Sequence, residues 1–388
     1  MKAIRKQVDK IKPNFEKGGK LFFLRSTFDA FETFLFVPNH VTKKGAHIRD
    51  SIDSKRTMII VVLALLPAMF FGCWNIGYQH DIATGISGDI FSRFWLGFGK
   101  FFPILVVSYA VALGIEFAFA QFRGHEVNEG VLVTGFLIPL VMPPHIPLWM
   151  VALATAFAII FGKEVFGGTG MNIYNPALLA RAFVFFSYPT KISGVEPWVY
   201  LGDKVPLDGF SAATPLGNAG TGEFDKLASF WDGFIGTIPG SIGETSFVAI
   251  MLGAFILLVT GVGSWRIILS VFAGGALMAW IFNLIGANEY MTSVSPIMHL
   301  VFGGFAFGAV FMATDPVSAS QTNTGKYIYG FLIGAFTILI RVVNPAYPEG
   351  MMLAILLMNT FAPLIDYYVV EANIKRRMKR IKLVKTEN

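Results

Sequence analysis

Charge is scarce in this chain and cysteine is almost absent. Only 14% of its 388 residues are Asp, Glu, Lys or Arg, against 54% hydrophobic. Average soluble domains carry about 25% charged residues, so this composition excludes an ordinary soluble enzyme. With a mean hydropathy of +0.60 it reads as an all-α polytopic membrane protein. The single cysteine, Cys73, excludes an intrachain disulfide, a CxxC redox pair and an iron–sulfur cluster held by this chain alone. Of six histidines, only His299 falls well inside a hydrophobic block, and no second histidine stands at helical spacing from it. A bis-histidine haem is thereby excluded. Neither a Walker A motif nor GxGxxG is present, and no metal-ligand cluster or nucleophile triad is indicated. The first twenty residues are basic and lack the apolar core of a signal peptide, so the first spanning segment is expected to direct insertion. The basic run Lys375-Arg376-Arg377 with Lys379-Arg380 reads as an anchor against anionic membrane lipid, not as a nucleic-acid surface.

What the chain has in abundance is hydrophobic blocks. Ten are expected to be helices: 57–78, 101–122, 130–143, 146–162, 176–188, 246–263, 265–286, 296–313, 326–343 and 350–369. Several fall short of the roughly 20 residues a full span needs. The short ones are broken by Pro143-Pro144, Asn175-Pro176, Asp315-Pro316 and Asn344-Pro345. Broken backbone at membrane depth is tolerated only where protein buries it or where it lines a cavity. The breaks recur in order: a helix ends at a proline break, another follows, and Asn-Pro-Ala introduces the next. Two five-helix inverted repeats, 57–189 and 246–370, are therefore expected, an odd helix number putting the second copy in from the opposite side. Between them lies a polar outer loop, 190–245. A cytoplasmic region, 1–56, precedes them and a basic cytoplasmic tail, 371–388, follows.

Within 1–56, Leu24, Phe28, Phe31 and Leu35 share one face of a helix expected over Leu21–Val37. That helix reads as a surface anchor or as one wall of a pocket for a lipid-like ligand such as a quinone. With both termini cytoplasmic, 24 basic residues fall on the inner side and six on the outer. The asymmetry sets the orientation and puts the 190–245 loop outside.

Ionisable groups inside the blocks are few. Glu116, Asp315 and Asp366 are candidates for an ion pathway, because an intramembrane carboxylate is costly unless paired or hydrated. Asp315 reads equally as an Asx turn at an Asp-Pro break, and Asp366 as a residue reaching the interface beside Tyr367 and Tyr368. Arg181 is read as the one cation within a helix, either neutralising a carboxylate or holding an anionic group. The glycine-rich stretch Phe166–Asn175 precedes a helix, where backbone amides could meet an anion or a polar ring edge.

The stretch Asp208-Gly209-Phe210-Ser211-Ala212-Ala213-Thr214 resembles the D-G-x-S-G-A-T flavin-attachment motif of the bacterial Nqr and Rnf redox complexes, with Ala212 where those families usually have glycine. Further runs are similar to the B-subunit family of sodium-translocating NADH:quinone oxidoreductases (Nqr): His125–Gly130, Lys163–Gly170, Met312–Ala319 and Arg341–Gly350. The resemblance covers nearly the whole chain. It implies one component of a six-subunit respiratory pump in the bacterial inner membrane, moving electrons to quinone and sodium ion outward. It also implies FMN joined to Thr214 through a phosphoester, with Ser211 and Ala213 beside it, and non-covalent riboflavin near Asn172 and Asn175. A separate flavin transferase would make the attachment. Glu116, Asp315 and Asp366 match the family acids linked to sodium handling. A glycine pair that the family can show before the first of these is replaced here by Ala112-Leu113-Gly114-Ile115, so quinone contacts are not carried over. The D-subunit of an Rnf-type ferredoxin:NAD oxidoreductase shares fold and flavin. A non-redox secondary transporter or channel with the same inverted repeat is the alternative of a different class.

Overall fold

The computed structural model describes residues 2–386 except 17, 26–27, 30–31, 33–35, 37–41, 43, 47–53, 125–128, 194–197, 203–205, 208–209 and 345–348. Among the described residues every regular element is helical. In chain order they are α1 (Lys2–Ile11), α2 (Ser54–Thr84), α3 (Ile90–Arg123), α4 (Gly130–Leu140), α5 (Leu148–Ile159), α6 (Pro176–Ser187), α7 (Pro215–Thr221), α8 (Phe230–Ile235) and α9 (Phe247–Val259). Then follow α10 (Trp265–Ile285), α11 (Glu289–Ser293), α12 (Pro296–Val301), α13 (Phe305–Phe307), α14 (Asn323–Val343) and α15 (Met351–Thr386).

Among the described residues five helices are long and apolar enough to cross a membrane: α2, α3, α10, α14 and the Met351–Arg380 part of α15. The helices α4, α6 and α9 are apolar but shorter. Local chemistry sets several ends. Asp89 caps α3 by accepting from the Phe91 N–H at 3.4 Å, and Gly124 closes it in the left-handed region. Asn175, extended before Pro176, caps α6 by accepting from Ala177 N–H at 3.0 Å. Two blocks expected as single helices are interrupted. α5 runs into a π-turn at Ile160–Glu164. The 296–313 block divides into α12, α13 and a second π-turn, Gly308–Met312, because Phe302 is extended and Gly303 adopts φ +67°.

The densest packing joins α10 to α14, where Gly274 and Gly334 let the helix backbones meet. A Cβ on Gly334 would lie 2.0 Å from the Val271 carbonyl oxygen, and one on Gly274 2.1 Å from that of Phe331. Small residues of this kind set helix contacts in membranes, where water supplies no hydrophobic drive between helices.

Of the stretch 190–245, expected as a polar outer loop, the described part from Thr214 onward is folded. Thr214 and Ser229 cap α7 and α8, and Gly222 and Gly236 end them in the left-handed region. The chain then turns inward. Ile242 N–H donates to Met142 O at 3.3 Å and Gly243 N–H to Leu140 O at 2.7 Å, so the segment seats on the break after α4. Gly72 of α2 makes room for it: a Cβ there would stand 1.8 Å from the Ile242 carbonyl oxygen. Gly72→Ala is expected to lift this segment at a cost of about 1–3 kcal/mol, read as a lower thermal midpoint of the purified protein in detergent.

In the N-terminal region, Glu32 receives Arg5 at 3.1 Å and Lys12 at 2.9 Å, and Phe15 stacks on Phe28 with ring centroids 4.4 Å apart. Of the helix expected over 21–37, the described part opens with a 3-10 turn at Phe22–Leu24. Phe31 and Leu35 lie outside the described residues, as do residues 125–128, Asp208-Gly209 and 345–348 of the motif runs.

Candidate functional site

Two cavities lie at different heights along α6. The larger, about 360 Å³, is lined by Thr214 and Ser211, by Arg181 and Phe185 of α6, and by the inward segment that carries Ser241 and Glu244. The smaller, about 100 Å³, is lined by Asn172, Asn175, Lys163, Thr169 and Asp315. At 1.5 Å of rise per residue, Asn175 and Arg181 are about 9 Å apart along the helix axis.

Thr214 is where a tethered group would start. It is extended, at φ −70° and ψ 157°, and its Oγ1 accepts from Gly217 N–H at 3.1 Å as the α7 N-cap. Pro215 follows as the first helical residue, a position where its missing N–H costs nothing. Ala212 is buried against Ala83 and Val199. Ser211 is exposed and its Oγ accepts from Ala213 N–H at 3.4 Å. Thr214 thus lines a cavity whose size falls in the roughly 300–1,000 Å³ range of small-molecule sites.

Arg181 stands at the wall of this cavity between two carboxylates. One guanidinium nitrogen donates to Glu244 at 2.8 Å and the other to Glu349. A second arginine closes the group: Arg341 Nε donates to Glu349 O at 2.8 Å, and its terminal nitrogens donate to Phe302 O at 2.9 Å and to His299 O. Arg341 is fully buried in the last turn of α14. Arg181 is therefore not the one cation within a helix, as its sequence position suggested. By position alone Arg341 belongs with the outer basic residues, because it ends its block. The Glu349 carboxyl stands raised at about 8: burial pushes it up most, the neighbouring Glu244 adds to the rise, and Arg181 and Arg341 pull against it.

The candidate ion-pathway acids are all held by protein groups, and the structure does not gather them into one site. Glu116, buried in α3, pairs with Lys163 in the first π-turn. Beside it Arg123 donates to the Glu164 carboxylate at 3.2 Å and to its carbonyl at 2.8 Å. Asp315 forms an Asx turn, accepting from Val317 N–H at 3.2 Å and from the Ser318 hydroxyl at 2.7 Å. It shares the small cavity with Lys163, Asn172 and Asn175. Asp366 reaches across from α15 to the start of α14. It accepts from the hydroxyls of Ser320 at 2.7 Å and Thr322 at 2.6 Å, and from the N–H groups of Gln321 at 2.7 Å and Thr322 at 3.0 Å. Asp366→Ala is expected to destabilise the α14 start by about 1–2 kcal/mol, on the scale of a lost helix cap. Asp366→Asn, which keeps an acceptor oxygen, should recover part of it, measured by thermal unfolding.

Asn172 Nδ2 donates to Tyr174 O at 3.0 Å and Asn175 Oδ1 serves the α6 cap. Gly167, Gly168 and Gly170 in the turn before them all have positive φ. Glu244, Glu349, Lys163 and Arg341 are site residues that sequence reasoning does not single out. Glu349, Lys163 and Arg341 stand inside the motif runs, and that is the only signal the sequence offers for them.

A family model described as NQR2, RnfD, RnfE matches residues 41–375. Three similar relatives each carry the name of the B-subunit of a Na(+)-translocating NADH-quinone reductase. That of Chromohalobacter salexigens is 50% identical, covering 97% of this chain and 97% of its own length. That of Ectopseudomonas mendocina is 49% identical, covering 97% and 99%. That of Pseudomonas aeruginosa is 47% identical over the same shares.

Proposed function

The chain belongs to the NQR2, RnfD, RnfE family, and from that footing we propose that it is the flavin-bearing membrane subunit of a sodium-translocating NADH:quinone reductase. It is a membrane subunit of the Nqr complex, an oxidoreductase and translocase. The finer reading is that FMN is joined to Thr214, that both termini are cytoplasmic in a bacterial inner membrane, and that the Thr214 cavity faces outward. Quinone, sodium ion and a maturing flavin transferase are the expected partners.

The observation that carries this is the position of Thr214. It lines a cavity of about 360 Å³, and three buried polar atoms on residues lining that cavity, Asn218 Oδ1, Ser241 Oγ and Thr245 Oγ1, have no partner among the described residues. A polar ligand of flavin size fits such a place. Bound there, a flavin would supply the exchange of one or two electrons. The chain's own part is positional: Thr214 tethers, the α7 cap fixes its rotamer, and the Arg181–Glu244–Glu349 group sets the charge of the wall. Flavin fluorescence on a denaturing gel, compared between wild type and Thr214→Ala, tests the assignment.

Riboflavin at Asn172 and Asn175 remains part of the proposal on motif grounds. The cavity they line, about 100 Å³, is below the size of a ligand site and does not fit a whole flavin ring as it stands. Glu116, Asp315 and Asp366 are kept as residues of the ion pathway.

Ten spans in two inverted repeats complete the reading. Packing supports it pairwise. In the first half α3 packs on α4 and α5, α5 on α6, and α2 on α4. In the second, α10 packs on α12 and α14, α14 on α15, and α9 on α13. Between the halves α2 packs on α9 and α6 on α15, as a two-fold relation requires, while the close α2–α3 pair has no counterpart of similar weight between α9 and α10.

A further inference from the structure

The three unpartnered atoms differ in what they can accept or give. Asn218 donates its amide N–H to Lys226 O at 3.1 Å, which leaves Oδ1 as an acceptor only. Ser241 and Thr245 carry hydroxyls, able to donate or accept. All three residues are over nine-tenths buried, with exposures of 7%, 2% and 4%, so water does not freely satisfy them. Ser241 and Thr245 flank an immobilised stretch. Ile242 and Gly243 are bonded to the break after α4, and Glu244 is held by Arg181. A buried polar group without a partner costs free energy unless something else meets it.

We propose that Ser241 and Thr245 are positioning residues for the ring edge of a flavin tethered at Thr214, and that Asn218 Oδ1 accepts from its polyol chain. This rests on the reading of Thr214 as the tether. Asn218 lies one helical turn after Thr214 on α7, next to the part of the ligand closest to its attachment. In FMN the phosphate at the tether is followed by a chain of hydroxyl donors, and it is these that an acceptor-only atom suits. The inward segment that also lines the cavity carries two adaptable hydroxyls, which suit the carbonyl oxygens and the N–H of the ring's pyrimidine edge. Trp198, Phe185 and Ile238 line the same cavity and offer apolar surface to the ring faces. Rigid support of this kind is what holds a cofactor in one geometry.

The hydroxyls therefore contribute only when the flavin is present. The test uses the purified complex matured with flavin transferase, in two backgrounds: wild type and the flavin-free Thr214→Asn. Ser241→Ala with Thr245→Val is introduced into each. On wild type, the double variant is expected to keep in-gel flavin fluorescence, to lower the reduction potential of the covalent flavin, and to lower the thermal midpoint. The potential falls because donors to the ring carbonyls favour the electron-rich reduced form. On Thr214→Asn, the same pair should leave the thermal midpoint unchanged or raise it, since it removes two unsatisfied groups. Ser241→Thr with Thr245→Ser, which retains both hydroxyls, should restore the potential. If the double variant carries covalent flavin with wild-type potential, or shifts the thermal midpoint equally in both backgrounds, the proposal is overturned while the tether stands. Covalent flavin persisting in Thr214→Asn would instead overturn the tether.

Discussion

Thr214→Ala is expected to abolish flavin fluorescence of this chain on a denaturing gel. Only a covalent bond survives denaturation, and the Thr214 hydroxyl is the group proposed to make it. Alanine also removes the cap of α7, because Thr214 Oγ1 accepts from Gly217 N–H. That loss alone costs about 0.5–2 kcal/mol, so a second substitution is needed to separate attachment from folding. Thr214→Asn keeps a capping oxygen and offers no hydroxyl to esterify. It should leave the protein assembled and equally devoid of fluorescence. Thr214→Ser, which keeps both cap and hydroxyl, should retain signal. Fluorescence in the alanine and asparagine variants alike would move the attachment elsewhere in the chain.

Arg181→Met is expected to have the largest effect on stability. It strands Glu244 and Glu349 beside one another, each having lost a guanidinium partner. Breaking a buried pair from one side costs about 3–5 kcal/mol, against the roughly 5–15 kcal/mol that separates most folded domains from unfolding. The pH dependence has a definite sign. The Glu349 carboxyl is already raised, to about 8 from an ordinary 4.5. Between those values the folded state binds more protons than the unfolded state, so stability contributed by this group falls as pH rises through that window. Arg181 is the strongest influence holding the value down. Its removal should push the carboxyl higher and carry the fall beyond pH 8. Thermal midpoints of wild type and Arg181→Met at pH 6 and pH 9 would show the gap between them widening at the higher pH. A gap that narrows would mean that Glu349 is not the group responsible.

The helical blocks can be read from sequence because they are marked by composition. Each of the ten hydrophobic runs contains helix, and proline with its neighbours marks where α6 begins, whereas the 296–313 block breaks at Phe302-Gly303, where no proline stands. The bounds are less visible. α2 continues to Thr84 among polar residues that hydropathy does not register, and α3 reaches back to Ile90 through an aromatic stretch that Arg93 and Lys100 interrupt. The 190–245 stretch misleads for the converse reason. Its turn-rich composition hides short capped helices and an inward segment whose burial depends on Leu140 and Met142, about one hundred residues earlier in the chain.

Site residues follow the same division. Thr214 is reachable because its motif is local. Glu116, Asp315 and Asp366 are reachable because charge inside an apolar block is costly. Their partners are not: Lys163 stands 47 residues from Glu116, and Ser320 stands 46 from Asp366. Arg181 meets Glu244 and Glu349 at separations of 63 and 168. No periodicity reports a pairing at such distances. The role of Asp366 as a clamp on the start of α14 follows only once α15 lies beside it.

The central claim is that one threonine of the 190–245 segment carries the flavin. Its most direct test is the mass of the proteolytic peptide containing Thr214, taken from the purified complex. The expected peptide is heavier by FMN less one water, with fragment ions that place the increment on Thr214. An unmodified peptide in a complex that still shows covalent flavin, or an increment on another residue, would contradict it.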